Sequence, residues 1–465
     1  MDRFDFVIIG AGAAGEAAAN AALERGKTVA VVERELFGGS CSFWACMPSK
    51  ALLHAAGEHR FGTYPWQRAS DRRDYMINRE RRDWPDDSGH VTSLEKAGAR
   101  LYKGRARIVG PGLVEVAPEG EHPSAAPGVR STLRIEAGTI VVATGSEPTM
   151  PAIEGLAETE PWTNREATST RELPRSLVVL GGGPVGVEMS SVFARFGVET
   201  ALVHSRDRLL DKDHPRLSEA AARILRDDGV ELRMGARAVR VRPRAGDRDA
   251  HVVELSDGGT VEGERIFVAL GRSLQLDDLG LESLGLEPAT LPHDGRLRAA
   301  DGLYVIGDPA GPEMFTHVGH YQGGLAVRMA LGEEVAPDYR AIPRAVFVEP
   351  ELASVGLSLD QARATGVDAF ELVTDFATTA RGYEVEAAFG HLAIVVDRGS
   401  QTIVGASVVA PDASAAIHEV VLAIHALVPV PTLAAMLHGF PTTSRAFDGL
   451  YAEALKALRG TPVAA

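Results

Sequence analysis

A chain of 465 residues, 45% apolar and 24% charged, has material for roughly two to four compact domains and is too apolar to be disordered by default. Its net charge of -15 repels nucleic acid and anionic lipid, so neither is expected as a partner. Two cysteines cannot make a disulfide scaffold, and no apolar run nears the roughly 20 residues that span a bilayer.

The first segment, Met1-Asp-Arg-Phe-Asp-Phe-Val-Ile-Ile, runs directly into a strand without a charged leader or cleavage site, and a cytoplasmic location is expected. The strand Phe6-Val-Ile-Ile meets the turn Gly10-Ala-Gly12-Ala-Ala-Gly15, an alanine-rich helix and a second strand, Thr28 to Glu33. In such a unit the first glycine makes a tight turn, the second admits a pyrophosphate and the third packs helix on strand. The helix N-terminus then offers unpaired N–H groups to phosphate. Glu33 ends the second strand where a carboxylate accepts hydrogen bonds from adenosine ribose hydroxyls.

Next comes Gly38-Gly-Ser-Cys41-Ser-Phe-Trp-Ala-Cys46-Met-Pro-Ser-Lys50. Five residues of regular helix turn through about 500° and rise about 7.5 Å, which points Cys41 and Cys46 apart. Bridging requires α-carbons within about 7 Å, hence a distorted first turn, for which Pro48 and the pair Gly38-Gly39 are the candidates. A metal site is not expected, because no neighbouring His or Cys completes four ligands. The arginines from Arg68 to Arg82 alternate with Asp71, Asp74, Glu80 and Asp83, the pattern of a solvated helix face.

Proline punctuation at Glu147 to Pro151 precedes a second strand–glycine–helix unit, Leu177-Val-Val-Leu followed by Gly181-Gly-Gly183-Pro-Val-Gly186-Val-Glu188. Its second strand, Glu199 to His204, ends in His204-Ser205-Arg206 rather than in a carboxylate. An acidic residue there holds a free ribose 2′-hydroxyl, whereas a nearby arginine accommodates a 2′-phosphate, so NADPH is favoured over NADH. Leu303-Tyr-Val-Ile-Gly-Asp308 reads as a buried strand whose aspartate faces a polyol chain. From Asp338 onward a third region of strands and helices is expected around Phe347-Val-Glu-Pro, Ile403 to Pro411 and the helix-like Ala413 to Leu427.

Taken with Ala143-Thr144-Gly145, Gly271-Arg272 and Phe347 to Gly356, these pieces resemble the pyridine nucleotide-disulfide oxidoreductases over essentially the whole chain. That is the family of glutathione reductase, dihydrolipoamide dehydrogenase and mercuric reductase. The resemblance implies an α/β fold with two Rossmann-like dinucleotide-binding domains and an α+β C-terminal dimerisation domain. FAD would occupy residues 1–148 and 272–337, NAD(P)H residues 149–271, and residues 338–465 would form the interface of a head-to-tail homodimer in which each subunit completes its partner's active site.

Within that frame Cys41 would be the interchange thiol that attacks a small-molecule substrate, Cys46 the thiol beside the flavin, and Lys50, paired with Glu188, a neighbour of flavin N5. Gly10, Gly12, Gly15, Glu33, Ser40, the backbone around Ala106, Thr144, Gly145, Arg272, Asp308 and the region of His317 would cradle FAD. Gly181, Gly183, Gly186, Glu188, His204, Ser205, Arg206 and Gly271 would serve the nicotinamide dinucleotide.

The chain departs from the pattern at its end. Family disulfide reductases carry a histidine there, with a glutamate five residues later, to move protons for the partner's thiols; here Phe440 and Arg445 hold those positions. His438 is either a displaced substitute or a structural histidine, and Arg445 either an anchor for an anionic substrate or a surface ion pair. Loss of general acid–base help costs about 10² to 10⁴ in rate. Gln322 replaces a common glutamate, and Leu274-Gln275 replace a common Pro-Asn, which suggests altered substrate-side chemistry. The leading expectation is an FAD-dependent NAD(P)H oxidoreductase with a working Cys41–Cys46 disulfide. The alternatives are a quinone or metal-ion reductase, or an enzyme similar to 2-ketopropyl-coenzyme M oxidoreductase/carboxylase, whose site also carries a phenylalanine.

Overall fold

The computed structural model describes residues 1–120, 123–287, 291 and 293–460. The first sheet is built on β1 (Asp2–Ile9), whose Phe6–Ile9 are all buried. It pairs in parallel with β2 (Val29–Glu33) on one side and with Leu133–Val142 on the other. Arg100–Lys103 and Leu303–Val305 flank that core, again in parallel. Short β-branched runs of this kind suit a sheet covered on both faces.

Between β1 and β2 runs α1 (Ala13–Leu23), which has no side chain larger than alanine at most buried positions. The helix Thr316–Ala330 therefore lies very close to it: a Cβ on Gly323 would come within 2.9 Å of the Ala17 Cβ. This packing fixes Thr316, the first residue of that helix. Gly10 has φ +102°, and a Cβ there would overlap the Ala143 carbonyl; Gly181, at φ +120°, meets the Ala269 carbonyl in the same way. The repeated unit read in the sequence is thus repeated in three dimensions.

The second unit forms an all-parallel sheet in the order 231–234, 199–204, 176–180, 265–268. The chain leaves the first sheet at Ser146–Pro148 and returns at Arg272–Leu274, and the two crossings pair antiparallel. The C-terminal region is a five-stranded antiparallel sheet, 343–346, 351–356, 402–410, 391–397 and 369–375, packed against helices Ala413–His425 and Phe447–Leu458. Among the described residues no helix is long and apolar enough to cross a membrane.

Two sequence expectations change. Phe347 to Pro350 lies in the connection between two strands, not within one. The arginine-rich stretch is a solvated face only in part: Arg68, Asp71, Arg72, Glu80, Arg81, Arg82 and Asp83 are exposed, but Arg73 is fully buried, and Asp74 accepts from Arg73 (2.8 Å), Arg79 (2.7 Å) and Arg171 (2.8 Å). Arg73 and Arg79 also donate to the carbonyls of Thr168 and Ser169, at 2.6 and 2.7 Å. Alternating charge along a sequence does not distinguish solvation from a network whose acceptors lie some 90 residues away.

Candidate active site

Gly38 and Gly39 take φ +108° and +66°, and a Cβ on Gly38 would run into the His90 ring. They feed a single turn, α2 (Gly39–Phe43), which ends at Trp44; α3 (Cys46–His59) then starts afresh. The break is at Ala45, with φ -131° and ψ -96°. Pro48 is the third residue of α3, in the first turn, where an N–H has no partner within the helix itself, and the break lies three residues before it. Because the helix is broken, Cys41 and Cys46 meet, thiol to thiol.

Their surroundings press the two thiols in opposite directions. Its hydrogen bond to Cys46 and burial push the Cys41 thiol up. The same bond from Cys41, a contact with Thr316 and the Lys50 charge pull Cys46 down to about 6. The Thr316 Oγ1 lies 3.3 Å from the Cys46 sulfur. Thr316 carries no sequence signal, since it is reached only through helix packing 270 residues further on.

One turn along α3, Lys50 Nζ donates to Glu188 at 2.9 and 3.2 Å. Glu188 is held by a third donor, the Phe347 N–H at 3.0 Å, and the Lys50 ammonium stands 4.8 Å from the Phe347 ring centroid. Glu188 is buried while Lys50 is 37% exposed, so the carboxylate is the fixed member of the pair and the ammonium the presented one.

Three separately read segments converge nearby. Ser146, which follows Thr144-Gly145, donates to Asp308 and accepts from Arg272 Nε at 2.6 Å; Arg272 lies 3.7 Å from Asp308. Gln322 braces this group from below: its Oε1 accepts from the Gly307 N–H at 2.7 Å, and its amide donates to the Gly311 carbonyl at 2.6 Å and to Tyr339 at 2.8 Å. A glutamate could not donate those last two bonds, so the residue read as a substrate-side change is a support for the Asp308 loop. His317 stacks on Phe315 at 5.2 Å, and Ala106 is buried in the first core.

The two nucleotide turns are braced alike. Glu33 Oε2 accepts the Ala11 N–H at 2.8 Å, and His204 Nδ1 accepts the Gly182 N–H at 3.1 Å, across the same sequence distance of 22 residues. Lys103, missed in the sequence, is buried and donates to the Arg34 (2.7 Å) and Glu35 carbonyls beyond β2. Burial keeps the His204 ring below its ordinary range and so neutral at pH 7. Ser205 and Arg206 are exposed at the lip of that turn.

The C-terminal segment is tied down within its own domain. His438 is enclosed: Nε2 contacts both Glu419 oxygens at 3.0 Å, and Nδ1 contacts Asp448. Asp448 also pairs with Arg445, and Tyr451 donates to Glu419 at 2.7 Å. Phe440 is 73% exposed.

Comparison with known proteins matches residues 4–323 to the pyridine nucleotide-disulphide oxidoreductase family and residues 342–451 to that family's dimerisation domain. The chain is 31% identical to a dihydrolipoyl dehydrogenase of Halobacterium salinarum over 463 residues, 95% of this chain and 94% of that one. The chain belongs to the pyridine nucleotide-disulphide oxidoreductase family. Other members include a dihydrolipoyl dehydrogenase of Bacillus subtilis, 29% identical over 99% of this chain and 97% of that one. In structure the chain resembles the HOCl-induced flavoprotein disulfide reductase RclA from Escherichia coli, in its Cu(II) complex, with TM-score 0.85 and 27% identity across 97% of this chain and 99% of that one. It likewise resembles LpdA from Mycobacterium tuberculosis, with TM-score 0.84 and 26% identity over 97% and 99%.

The chain is accordingly an oxidoreductase of this family, with FAD and a pyridine nucleotide as its cofactors. The residues present fit both groups. A Cβ on Gly12 would meet nothing nearer than the Gly39 Cα at 4.0 Å, and one on Gly183 would meet nothing within 4 Å, so both helix N-termini open onto space. Beside the first of these turns the Thr144 hydroxyl is buried with no hydrogen-bond partner among the described residues.

The Cys46 thiolate should be titratable in place. With the pair reduced by two electrons, the long-wavelength absorbance of a thiolate beside a flavin is expected to persist above pH 6 and to fade as pH drops through about 6. In Thr316→Val, which removes one hydrogen bond to the charged form, that midpoint is expected to move up by about one pH unit. An unmoved midpoint would mean that Thr316 does not stabilise the thiolate.

Proposed function

We propose that this protein passes reducing equivalents from NADPH, by way of FAD, to the Cys41–Cys46 pair and from there to a disulfide substrate. The observation that carries the reading is the Cys41–Cys46 thiol contact beside the Lys50–Glu188 pair, in surroundings that favour the charge on Cys46. FAD supplies the carrier that accepts a hydride and delivers two electrons. On this reading residues 1–148 with 272–337 bind FAD, residues 149–271 bind NADPH, and residues 338–465 pair two chains head to tail.

Two electrons and one proton convert the disulfide to a Cys41 thiol and a Cys46 thiolate. Once deprotonated, Cys41 attacks an outside disulfide, forming a mixed disulfide and releasing one thiolate. Cys46 then attacks Cys41, re-forms the internal bond and releases the second. The weak step is removal of the Cys41 proton: Phe440 carries no base, and His438 is enclosed between Glu419 and Asp448 of its own domain. That same feature favours a second reading, in which quinones or metal ions take electrons from the flavin without Cys41, or a carbanion is sheltered from protons as in 2-ketopropyl-coenzyme M oxidoreductase/carboxylase. The test is NADPH turnover with a small disulfide beside turnover with a quinone. Disulfide turnover supports the first reading, and quinone turnover alone overturns it.

The exposed Arg206 and a strand that ends in His204 rather than in a carboxylate support NADPH as donor; an acidic group, Asp211, stands 3.9 Å from His204 Nε2. Arg206→Ala is expected to lower kcat/KM for NADPH about tenfold, the worth of one charge-assisted contact, and to leave NADH unchanged. An equal loss with both dinucleotides would contradict that assignment.

A further inference from the structure

Pro48 has a consequence beyond its own position. In a continuous helix the Trp44 carbonyl would accept the N–H of residue 48, and proline has none. The orphaned carbonyl is taken instead from 120 residues away: Asn164 Nδ2 donates to it at 2.6 Å. Thr168 Oγ1 is 3.2 Å from the same oxygen and 2.7 Å from the Asn164 carbonyl; its one hydrogen is shared between the two, so Asn164 carries the main contact and Thr168 a weaker second one. Between them Arg165 lies over the Trp44 ring, 4.7 Å from its centroid, and pairs with Glu35 at 2.6 Å. Three residues of one short helix, Asn164–Ser169, thus grip the residue that precedes the break at Ala45.

Ala45 occupies a sparsely populated backbone region, and such conformations persist only where the surroundings hold them. If the break relaxed toward regular helix, Cys41 and Cys46 would rotate apart. We propose that Asn164 is a positioning residue for the Cys41–Cys46 pair: by taking the Trp44 carbonyl it holds open the break that sets the two thiols face to face. The proposal rests on the reading that this pair is redox-active. The amide is free for the task because the helix is capped by its neighbours, Thr163 and Glu166, which form a reciprocal capping box.

The test uses the FAD-loaded protein, equilibrated anaerobically at a series of reduced-to-oxidised dithiothreitol ratios, quenched, alkylated and weighed for free thiols at Cys41 and Cys46. Asn164→Asp keeps the shape and the cap but removes the donor, Thr168→Val removes the second contact, and Asn164→Gln keeps an amide. In Asn164→Asp the equilibrium is expected to move about tenfold toward the dithiol, about 30 mV for a two-electron couple, with Thr168→Val smaller in the same direction and Asn164→Gln nearer to wild type. FAD content read on the same samples separates this from loss of fold, and should Asn164→Asp lose FAD, the Thr168→Val shift decides. If the wild-type pair closes normally and Asn164→Asp or, in that case, Thr168→Val closes at the same ratio, the positioning role is overturned. A wild-type pair that stays reduced at every ratio would overturn the redox reading, and this proposal with it.

Discussion

Cys41→Ser is expected to cut disulfide turnover by at least about a thousandfold while NADPH still reduces the flavin. The argument is one of division of labour within the pair. Cys46 is the member pulled down, to about 6, by its bond from Cys41, by Thr316 and by the Lys50 charge, and on the proposed function it is the thiol that faces the flavin. Cys41 is the member pushed up, so it is the thiol that must first lose a proton and then attack. A serine hydroxyl at that position neither ionises near neutral pH nor forms a mixed disulfide. Stopped-flow reduction alongside steady-state disulfide assays reads both halves. Turnover that survives in the variant would move the chemistry to Cys46 or away from sulfur altogether.

Phe440→His is expected to raise disulfide turnover, by about a hundredfold, the low end of what general acid–base catalysis supplies. The low end applies because the position that would orient the new imidazole is Arg445, and Arg445 is already paired with Asp448. Phe440 has the exposure needed to accept the change, at 73%, so a polar ring there displaces no core contact. His438 cannot serve in its place, since one ring nitrogen meets Glu419 and the other Asp448 inside the same subunit. Flavin reduction by NADPH serves as the control and should not change. A variant no faster than wild type would mean that the partner subunit does not present residue 440 to the thiols, or that proton removal is not the slow step.

Much of this was legible in the sequence where the governing interaction is local. A strand, three glycines and an alanine-rich helix specify their own turn, and both units fold as read; that the strand-end side chain also accepts the N–H of the second residue of each turn is visible only in the fold. The convergence of Ser146, Arg272 and Asp308 was legible only as separate fragments, because nothing in a linear pattern says that they touch. What escaped depends on partners far along the chain. Pro48 signalled a distorted helix, yet the break lies three residues earlier at Ala45, beside a Trp44 carbonyl whose donor, Asn164, stands 120 residues along the chain. Arg73 and Arg79 looked solvated because their acceptors, the carbonyls of Thr168 and Ser169, lie in a distant helix. Gln322 looked like altered chemistry because the two carbonyl and hydroxyl acceptors that require its amide are visible only in the fold.

The central claim is that Cys41 and Cys46 lie on the electron path between NADPH and the final acceptor. It is tested most directly by anaerobic titration of the purified protein with NADPH, following the visible spectrum at pH 8. The account predicts that the first two electrons leave the flavin oxidised and bring up a long-wavelength shoulder, absent in Cys46→Ser. Bleaching of the flavin by the first two electrons, with no shoulder at any point, would contradict it and pass the lead to direct reduction of a quinone or metal ion.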